Sequence, residues 1–264
     1  MKDVKAEGEM KILTAYCTDV GNVKQVNQDA LLIKTAKSDT MEVTLLCICD
    51  GMGGLSQGER ASTHVIRRFS KWFEEELPEI LKEKEWIEAI RTQWVEMLEQ
   101  ANTALAEYGA QQKINLGTTC TAMLMLGETY YIIHIGDSRV YEITDEISQI
   151  TNDQTVLARE IAMGRVSLEN AEDDARGSVL LQCVGASRNI DPQFLTGTVQ
   201  KNAVYMMCSD GFRHKVTEKE FQKGFLPEKM QNEKVMGEQC RYFTELNKAR
   251  AERDNITVIL AKTE

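Results

Sequence analysis

The amino-acid sequence predicts an α+β domain in which strands form the centre and helices pack on the outside. Short apolar or alternating runs, typical of strands, occur in groups along the chain. Longer stretches with apolar residues three and four apart, typical of helices, occur in pairs between these groups. The chain lacks the regular strand-helix-strand alternation of parallel folds, so a layered α+β arrangement is the best interpretation.

Strands are predicted where a short apolar run is bounded by turn-forming residues. The run at residues 41–49 is apolar nearly throughout and stops at Asp50-Gly51, where glycine permits backbone conformations that other residues resist. Gly127-Glu128 and Gly136-Asp137-Ser138 have the composition of turns between closely spaced strands. The predicted strands cover residues 10–18, 29–35, 41–49, 118–126, 129–135, 139–143, 203–208 and 255–261.

Helices are predicted from the apolar stripe that a helix needs in order to face a core. Residues 83–112 carry this stripe over the longest distance. A helical pattern also covers residues 59–77, and Pro78 is expected to end it. Two further helical regions are predicted, at residues 217–248 and at residues 155–164 within a polar, irregular segment (153–191).

The composition is typical of one globular domain covering residues 1–264. Three prolines and no Ser/Gly-rich tract leave no candidate linker. The longest apolar runs are far too short to cross a bilayer, and the Lys- and Glu-rich start lacks the apolar stretch of a signal peptide. Seven cysteines, an odd number without a C-x-x-C pair, fit a reducing compartment. We therefore expect a cytoplasmic monomer that does not bind membranes.

The net charge limits the partners of the protein. A net charge of -10 argues against nonspecific binding of nucleic acid, which needs a basic face. Any site that handles phosphate in such an acidic chain needs a local positive centre. Bound divalent cations would provide one.

Four aspartates share a sequence context, because each lies at the edge of an apolar strand run beside a turn-forming residue. Taken singly, each could be an ordinary turn residue. The adjoining strands are apolar enough to lie in a core, so their carboxylates would be brought close together and repel one another. Hard cations such as Mg²⁺ or Mn²⁺ relieve this repulsion, whereas three histidines without ligand spacing make a zinc site improbable on chemical grounds. The four residues are Asp50, Asp137, Asp210 and Asp254.

Seven short motifs, four of which contain these aspartates, follow one another along the chain. They are Asn27-Gln28-Asp29, Asp50-Gly51-Met52-Gly53-Gly54, Gly117-Thr118-Thr119, Gly136-Asp137-Ser138-Arg139, Thr151-x-Asp153, Ser209-Asp210-Gly211 and Asp254-Asn255. In these motifs and their order, the chain resembles the metal-dependent protein phosphatases of the 2C type from about residue 11 to residue 262. A single motif would be weak evidence, but the ordered series is specific.

The resemblance implies a central antiparallel β-sandwich flanked by helices on both sides, in α-β-β-α layers, with a metal centre at one end. Two Mn²⁺ or Mg²⁺ ions are implied. Asp50 would bridge them, and Asp210 and Asp254 would complete the first site. The Gly51 carbonyl would join the second, and Asp29 would act mainly through water.

Bacterial members of this family often hold a third, weaker metal ion. The resemblance assigns it to Asp137, beside a flap whose counterpart here is about residues 155–191. Four residues after Asp210, however, many relatives carry an aspartate for this ion, and here the residue is His214. A neutral imidazole suits a hard cation less well than a carboxylate. We therefore expect the third ion to be weakly bound or absent.

The implied activity is hydrolysis of phosphoserine and phosphothreonine in proteins, with Asp50, Asp210 and Asp254 as the essential catalytic residues. Two cations about 3.5–4 Å apart activate a water for direct attack on phosphorus, so no phosphoenzyme is needed. The partners are then phosphoprotein substrates, and a cognate serine/threonine kinase is expected.

Three other positions depart from the family pattern. The family usually has an arginine that grips the substrate phosphate where this chain has Lys24, which keeps the charge but loses the bidentate contact. The simpler alternative is a solvated loop lysine without a role. Gln28 cannot bind a cation as a glutamate could. Met52 replaces a histidine that is sometimes assigned as the general acid in animal enzymes.

Two other functions remain as alternatives. A weakly active relative that binds phosphoproteins or partner domains would fit the changes at Lys24, Gln28 and His214, although the principal metal ligands are intact. A metal-dependent nuclease or nucleotide hydrolase would share the two-metal chemistry but needs a basic groove. A dinucleotide fingerprint is excluded because Ser56 replaces its third glycine. Cys47 and Cys49 alternate with core residues and are expected to be structural thiols.

Overall fold

The strand β3 (Glu42–Cys49) is buried on both faces and organises the layers of the fold. Successive side chains of a strand point to opposite faces. Leu45 and Cys47 therefore face a core shared with helices, while Leu46 and Ile48 face a second sheet. Burial on both faces is the reason why this segment reads as an apolar run rather than an alternating one. The computed structural model describes residues 10–37, 42–52, 57–167 and 174–264.

Two five-stranded sheets, in which the paired strands are antiparallel, pack face to face. The first has the order β10 (Gln193–Thr198), β7 (Thr129–Ile135), β6 (Cys120–Leu126), β3 and β2 (Ala30–Lys37). The second has the order β1 (Ile12–Asp19), β12 (Ile256–Thr263), β11 (Val204–Cys208), β8 (Arg139–Ile143) and β9 (Ile147–Gln149). A short pair, β4 (Gly51–Met52) and β5 (Gly117–Thr118), lies beside the first sheet.

Helices cover the outer faces of both sheets. On the first sheet, Trp72 and Trp94 belong to the core shared with α1 (Gly58–Glu75), α2 (Leu77–Ile80) and α3 (Trp86–Gln112). On the second sheet, Phe212 and Phe243 belong to the core shared with α5 (Asp210–Arg213), α6 (Glu218–Gly224) and α7 (Glu233–Ala249). The layers are therefore α-β-β-α, which confirms the predicted fold class. The segment between β9 and β10 contains α4 (Val156–Ala162) and a 3-10 turn (Ala175–Ser178).

The boundaries of several elements differ from the predictions. Pro78 does not follow the last turn of α1 but lies in the first turn of α2, where its missing N–H has no helical partner to lose. The region predicted as helical at residues 217–248 is two helices, α6 and α7. The strands β9 and β10 and the short helix α5 were not predicted. Met41, the predicted start of β3, lies outside the described residues.

None of the described helices combines the length and the apolar character that a membrane span requires.

Candidate active site

The registers of the sheets bring one end of each to the same edge of the molecule. In the first sheet, Ala30 pairs with Cys49 and Cys120 pairs with Ile135, so the residues just beyond these pairs, Asp29, Asp50 and Asp137, lie at one end. In the second sheet, Cys208 pairs with Val258, which places Asp210 and Asp254 just beyond the paired region of β11 and β12. Two sheets packed face to face thus present the five predicted aspartates together.

Two tight backbone contacts explain why glycine follows two of these aspartates. A Cβ on Gly211 would lie 2.1 Å from the Asn255 carbonyl oxygen, so only glycine lets Ser209-Asp210-Gly211 pack against Asp254-Asn255. A Cβ on Gly51 would lie 2.4 Å from the carbonyl oxygens of both Gln28 and Gly58. The glycines therefore allow the backbone segments that carry the carboxylates to approach one another.

Burial and the neighbouring carboxylates together favour the protonated form of Asp50. Burial raises the pKa of Asp50 well above its usual value, and Asp29, Asp210, Asp137 and Asp254 add to the rise. Bound cations relieve this type of repulsion.

Both carboxylate oxygens of Asp29 are buried. Burial raises the pKa of Asp29 to about 7; the Thr257 and Ser209 hydroxyls oppose this rise, while Asp210 and Asp254 add to it. Neither carboxylate oxygen accepts a well-formed hydrogen bond from the described residues, and the same holds for Oδ1 of Asp210. Buried oxygens without a donor are costly. A divalent cation, or water held by one, is the kind of partner that they lack.

The spacing of the carboxylates fits hard cations that keep much of their water. Among the described residues, no three carboxylate oxygens from different residues lie within 4.8 Å of one another. A single ion fully enclosed by protein would need that convergence. Mg²⁺ and Mn²⁺ sites are commonly built from one or two carboxylates per ion plus waters, so the donors here suit such ions.

The position of Asp50 is fixed through its backbone by Thr118 and Thr119. The Asp50 N–H donates to Thr119 Oγ1 at 2.9 Å, and the Thr119 N–H donates to the Asp50 carbonyl at 2.9 Å. The Thr118 hydroxyl donates to the same carbonyl at 3.0 Å. The Gly117-Thr118-Thr119 motif therefore acts as a support for the residue that is expected to bridge the metals.

Gln28 links Gly51, the residue after Asp50, to Gly58 at the start of α1. With its amide oxygen accepting from the Gly58 N–H at 3.1 Å, its amide nitrogen donates to the Gly51 carbonyl at 3.2 Å. Its own carbonyl accepts from the Gly51 N–H at 3.2 Å and from the Ser62 hydroxyl at 2.6 Å. The carbonyl of Gly51, a predicted metal ligand, thus already has a donor in the protein.

Lys24 lies at the edge of the site, with its side chain still partly exposed to solvent. Its Nζ is 2.9 Å from Oδ1 of Asp254. Burial would lower the pKa of Lys24, but Asp254, Asp50 and Asp210 outweigh it and raise that pKa. Asn255 anchors the loop that carries Lys24, because its Nδ2 donates to the Val20 and Val26 carbonyls at 2.9 and 3.1 Å.

A network of two arginines and two aspartates adjoins the carboxylate cluster. Arg139 donates to Asp153 through Nε and Nη2 at 2.8 and 2.7 Å, in a bidentate pair. Nη2 of Arg213 lies 3.5 Å from Oδ2 of both Asp153 and Asp137. Burial raises the pKa of Asp137 to about 7, and Asp210 adds to the rise while Arg213 opposes it. Arg213 thus supplies positive charge at the predicted third site.

His214 also faces the cluster. Its Nε2 is 3.5 Å from Oδ2 of Asp210 and its Nδ1 is 3.4 Å from Oε2 of Glu252. Burial alone would lower the pKa of His214, but Glu252 and Asp210 outweigh it and raise the pKa. The side chain that replaces an aspartate of many relatives is therefore placed between two carboxylates.

The profile of the family described as "Protein phosphatase 2C" matches residues 21–249. The chain belongs to the protein phosphatase 2C family. This result confirms the resemblance that was carried by the motifs. The match covers most of the region, about residues 11–262, over which the motifs extend.

Individual relatives of this phosphatase agree in length and fold. The "Serine/threonine phosphatase stp" of Listeria innocua is 25% identical over 250 residues, which cover 94% of this chain and 94% of the relative. The catalytic domain of "serine threonine protein phosphatase PstP in complex with 2 Manganese ions" is 26% identical, with a TM-score of 0.73 over 96% of this chain and 99% of that one. Stp1 from Staphylococcus aureus, at 24% identity, has the same fold with a TM-score of 0.81 over the full length of both chains.

The structure brings every predicted site residue of this phosphatase to one end of the sandwich. Four supporting residues were missed by the sequence analysis or named without a role. Asn255 and Thr119 stood inside recognised motifs, so their positions could have been found from the sequence. Arg213 and Glu252 lie outside the motifs, three residues after Asp210 and two before Asp254, and no sequence pattern distinguished them from surface charges.

Proposed function

We propose that this phosphatase hydrolyses phosphoserine and phosphothreonine in proteins by direct attack of a cation-activated water, without a phosphoenzyme. The observation that carries the proposal is the cluster of aspartates at one end of the sandwich, of which Asp29 and Asp210 have buried oxygens that accept no well-formed hydrogen bond from the described chain. The manganese complex of the related PstP catalytic domain supports the choice of cation.

Three aspartates would hold the principal ions. Asp50 would contact both Mn²⁺ or Mg²⁺ ions, and Asp210 and Asp254 would complete the first site after moving closer to Asp50, since oxygens of these three residues do not all lie within 4.8 Å of one another in this structure. The Gly51 carbonyl would join the second, where Asp29 would act through water. When bound, the cations supply positive field for the phosphoryl oxygens and lower the pKa of the attacking water.

The protein's own groups would orient the substrate and keep the ligands in place. Lys24 is the proposed contact to the substrate phosphate, because its ammonium lies beside Asp254 at the edge of the cluster. A single ammonium gives a point contact rather than the fork of an arginine, so phosphate binding should be weaker than with arginine. Thr118 and Thr119 would keep Asp50 fixed during the reaction.

We also propose that Asp137 is the protein ligand of a weak third ion, beside a flap at residues 155–191. A described part of this segment lies next to the site, since the Thr118 N–H donates to the Val184 carbonyl and the Val184 N–H donates to the Thr118 carbonyl, each at 2.9 Å. Arg213 competes with a cation for Asp137, which would keep the affinity low.

The compartment in which the protein acts is inferred from its cysteines. The seven free cysteines fit a reducing cytoplasm. We propose that the chain acts there as a single-domain monomer on phosphoprotein substrates and opposes a serine/threonine kinase. Light scattering of the purified protein tests the monomer.

The decisive experiment measures hydrolysis of an aryl phosphate and of a phosphothreonine peptide with Mn²⁺, with Mg²⁺ and with a chelator. Asp50→Asn and Asp210→Asn should each lower kcat/KM by about 100-fold or more, since each removes a ligand of a cation worth several kcal/mol. Asp145→Asn, at an exposed turn, is the matched control and should have no effect. Activity that persists in chelator, or in the two ligand variants, contradicts the mechanism. Tight cation binding without hydrolysis would instead support a phosphoprotein-binding module.

A further inference from the structure

Three cysteine thiols meet in the core directly behind the active site. Cys47 and Cys49 are two residues apart on β3 and point to the same face, toward α1 and α3. The pairing of Ile48 with Thr121 continues by one residue to place Cys120 of β6 opposite Cys49. Each of the three residues is 0% exposed. The proposed hydrolysis uses none of them.

The distances between the three sulfurs suit a single ion. Sγ of Cys47 is 3.9 Å from Sγ of Cys49, and all three sulfurs lie within 4.8 Å of one another. Three bonds of about 2.3 Å arranged as a pyramid, about 95° apart, separate the sulfurs by about 3.4 Å. A contraction of at most about 1.4 Å between the sulfurs would therefore complete a three-coordinate site.

The ligand set selects a soft ion that accepts three sulfur donors. Thiolates favour soft, thiophilic ions over the hard cations expected at the aspartates. Within the described chain, no histidine or carboxylate joins the three sulfurs as a fourth ligand. The residues around them in this core layer, such as Ala61 and Val65, are apolar.

The charge of the bound ion further limits which ion the three thiolates can hold. Three thiolates around a divalent ion leave one negative charge in an apolar core at a high desolvation cost. A trivalent metalloid leaves none. Its trihydroxide, for example As(OH)3, is itself neutral and condenses with three thiols. Three As–O bonds break, three As–S bonds form, the thiol protons leave with the hydroxides as three waters, and no atom changes oxidation state.

We propose that Cys47, Cys49 and Cys120 form a buried binding site for a trivalent, thiophilic metalloid such as arsenic(III) or antimony(III). The site is separate from the proposed cation centre but mechanically connected to it. Cys49 precedes Asp50, and Cys120 follows Thr119, whose hydroxyl accepts from the Asp50 N–H at 2.9 Å. Drawing the sulfurs together displaces both strand ends, so occupancy inhibits the phosphatase by lowering kcat rather than by raising KM. This inhibition, but not the binding, rests on the proposed function.

Binding is tested with arsenite on the full-length, reduced protein. After incubation and desalting, native mass spectrometry should show one arsenic per chain with the loss of three thiol protons. Cys47→Ala/Cys120→Ala should reduce the arsenic retained at least tenfold. Cys208→Ala/Cys240→Ala, which removes two buried cysteines of the core between the second sheet and its helices, should retain it fully. A cooperative thermal unfolding transition shows that a variant is folded. If the double variant Cys47→Ala/Cys120→Ala does not fold, the single variant Cys47→Ser replaces it in the retention assay.

The outcomes separate the binding site from the proposed activity. No retained arsenic, or equal retention by the cluster variant, overturns the site. A parallel titration with Zn²⁺ tests the charge argument, because tighter binding of zinc than of arsenite at these cysteines would overturn the trivalent assignment. If arsenic binds at the cluster but the arsenic-free protein with Mn²⁺ has no phosphatase activity, this site stands and the function proposed above fails.

Discussion

Lys24 Nζ and Asp254 Oδ1 form an ion pair at 2.9 Å. The pair joins the proposed phosphate-binding lysine to a proposed metal ligand. Both side chains are more than a third exposed, so the pair is weak and exchanges readily with other partners. A cation that binds Asp254 would compete with Lys24 and release its ammonium toward solvent, where the substrate phosphate arrives. Metal loading and phosphate binding are then linked through one carboxylate.

Removing the Lys24 charge should therefore change two affinities in opposite directions. Lys24→Met should bind Mn²⁺ about two- to fivefold more tightly at low salt, because Asp254 loses its competitor. The same variant should raise KM and the inhibition constant of phosphate several-fold, because a contact to the phosphate is lost. Lys24→Arg should lower KM and this inhibition constant, because an arginine makes a bidentate contact. Calorimetric titration with Mn²⁺ and steady-state kinetics measure the two effects. Lys71→Met, on the exposed face of α1, is the control, and unchanged KM in both Lys24 variants would exclude the phosphate role.

The Arg139 and Asp153 pair should matter for stability as well as for the site. Asp153→Asn leaves the half-buried Arg139 and Arg213 without a shared carboxylate, and about 2–4 kcal/mol of unfolding free energy should be lost. Breaking the exposed pair of Arg250 and Glu220 by Glu220→Gln should cost at most about 1 kcal/mol. Urea unfolding monitored by circular dichroism gives both values. Similar losses for the two variants would mean that burial of the first pair has no energetic consequence.

His214→Asp should restore a cation ligand at the proposed third site. Equilibrium dialysis at millimolar Mn²⁺ should detect about one more bound ion per chain than in the parent, since a hard carboxylate replaces an imidazole. Without metal, the variant should be less stable, because Glu252 then faces a carboxylate instead of a base. His64→Asp, on the exposed face of α1, is the matched control. An identical number of ions in parent and variant would show that His214 does not limit the third site.

The metal-free protein should lose stability as the pH rises from about 5 to about 8.5. The pKa values of Asp29 and Asp137 are raised to about 7 in the fold, against about 3.9 in an unfolded chain, so the native state binds more protons in this range. His214, whose pKa is also raised, acts in the same direction. Each of the two carboxyls contributes a loss of about 2–3 kcal/mol between pH 5 and pH 8.5, so the expected loss in unfolding free energy is on the order of 5 kcal/mol.

Saturating Mn²⁺ should abolish this loss, because cations replace the protons. Thermal melts across the pH range, with and without Mn²⁺, measure the effect. Asp29→Asn should flatten the metal-free profile, and Asp145→Asn should leave it unchanged. A metal-free protein that becomes more stable on going from pH 5 to pH 8.5 would contradict the assigned shifts.

The sequence predicted the parts of the site that depend on strands and glycines. Strand β3 is recognisable because a segment buried on both faces must be apolar, and its end is marked by Gly51. The pairing of Lys24 with Asp254 and the position of His214 between two carboxylates were not predictable, since both depend on contacts between segments more than 30 residues apart in the sequence. The strand β10 was missed because its side chains are only partly buried at the edge of a sheet, which weakens the pattern.

The burial of β3 on both faces has a consequence for how this enzyme can change. Asp50 directly follows a strand that is buried between two cores. The packing of the whole sandwich therefore sets the position of Asp50. Lys24 and His214 are carried by a loop and by the end of a short helix, outside the strands whose packing sets the position of Asp50. Substrate preference can thus be engineered at the rim while the reaction centre stays rigid, and attempts to move the centre itself would require rebuilding the sandwich.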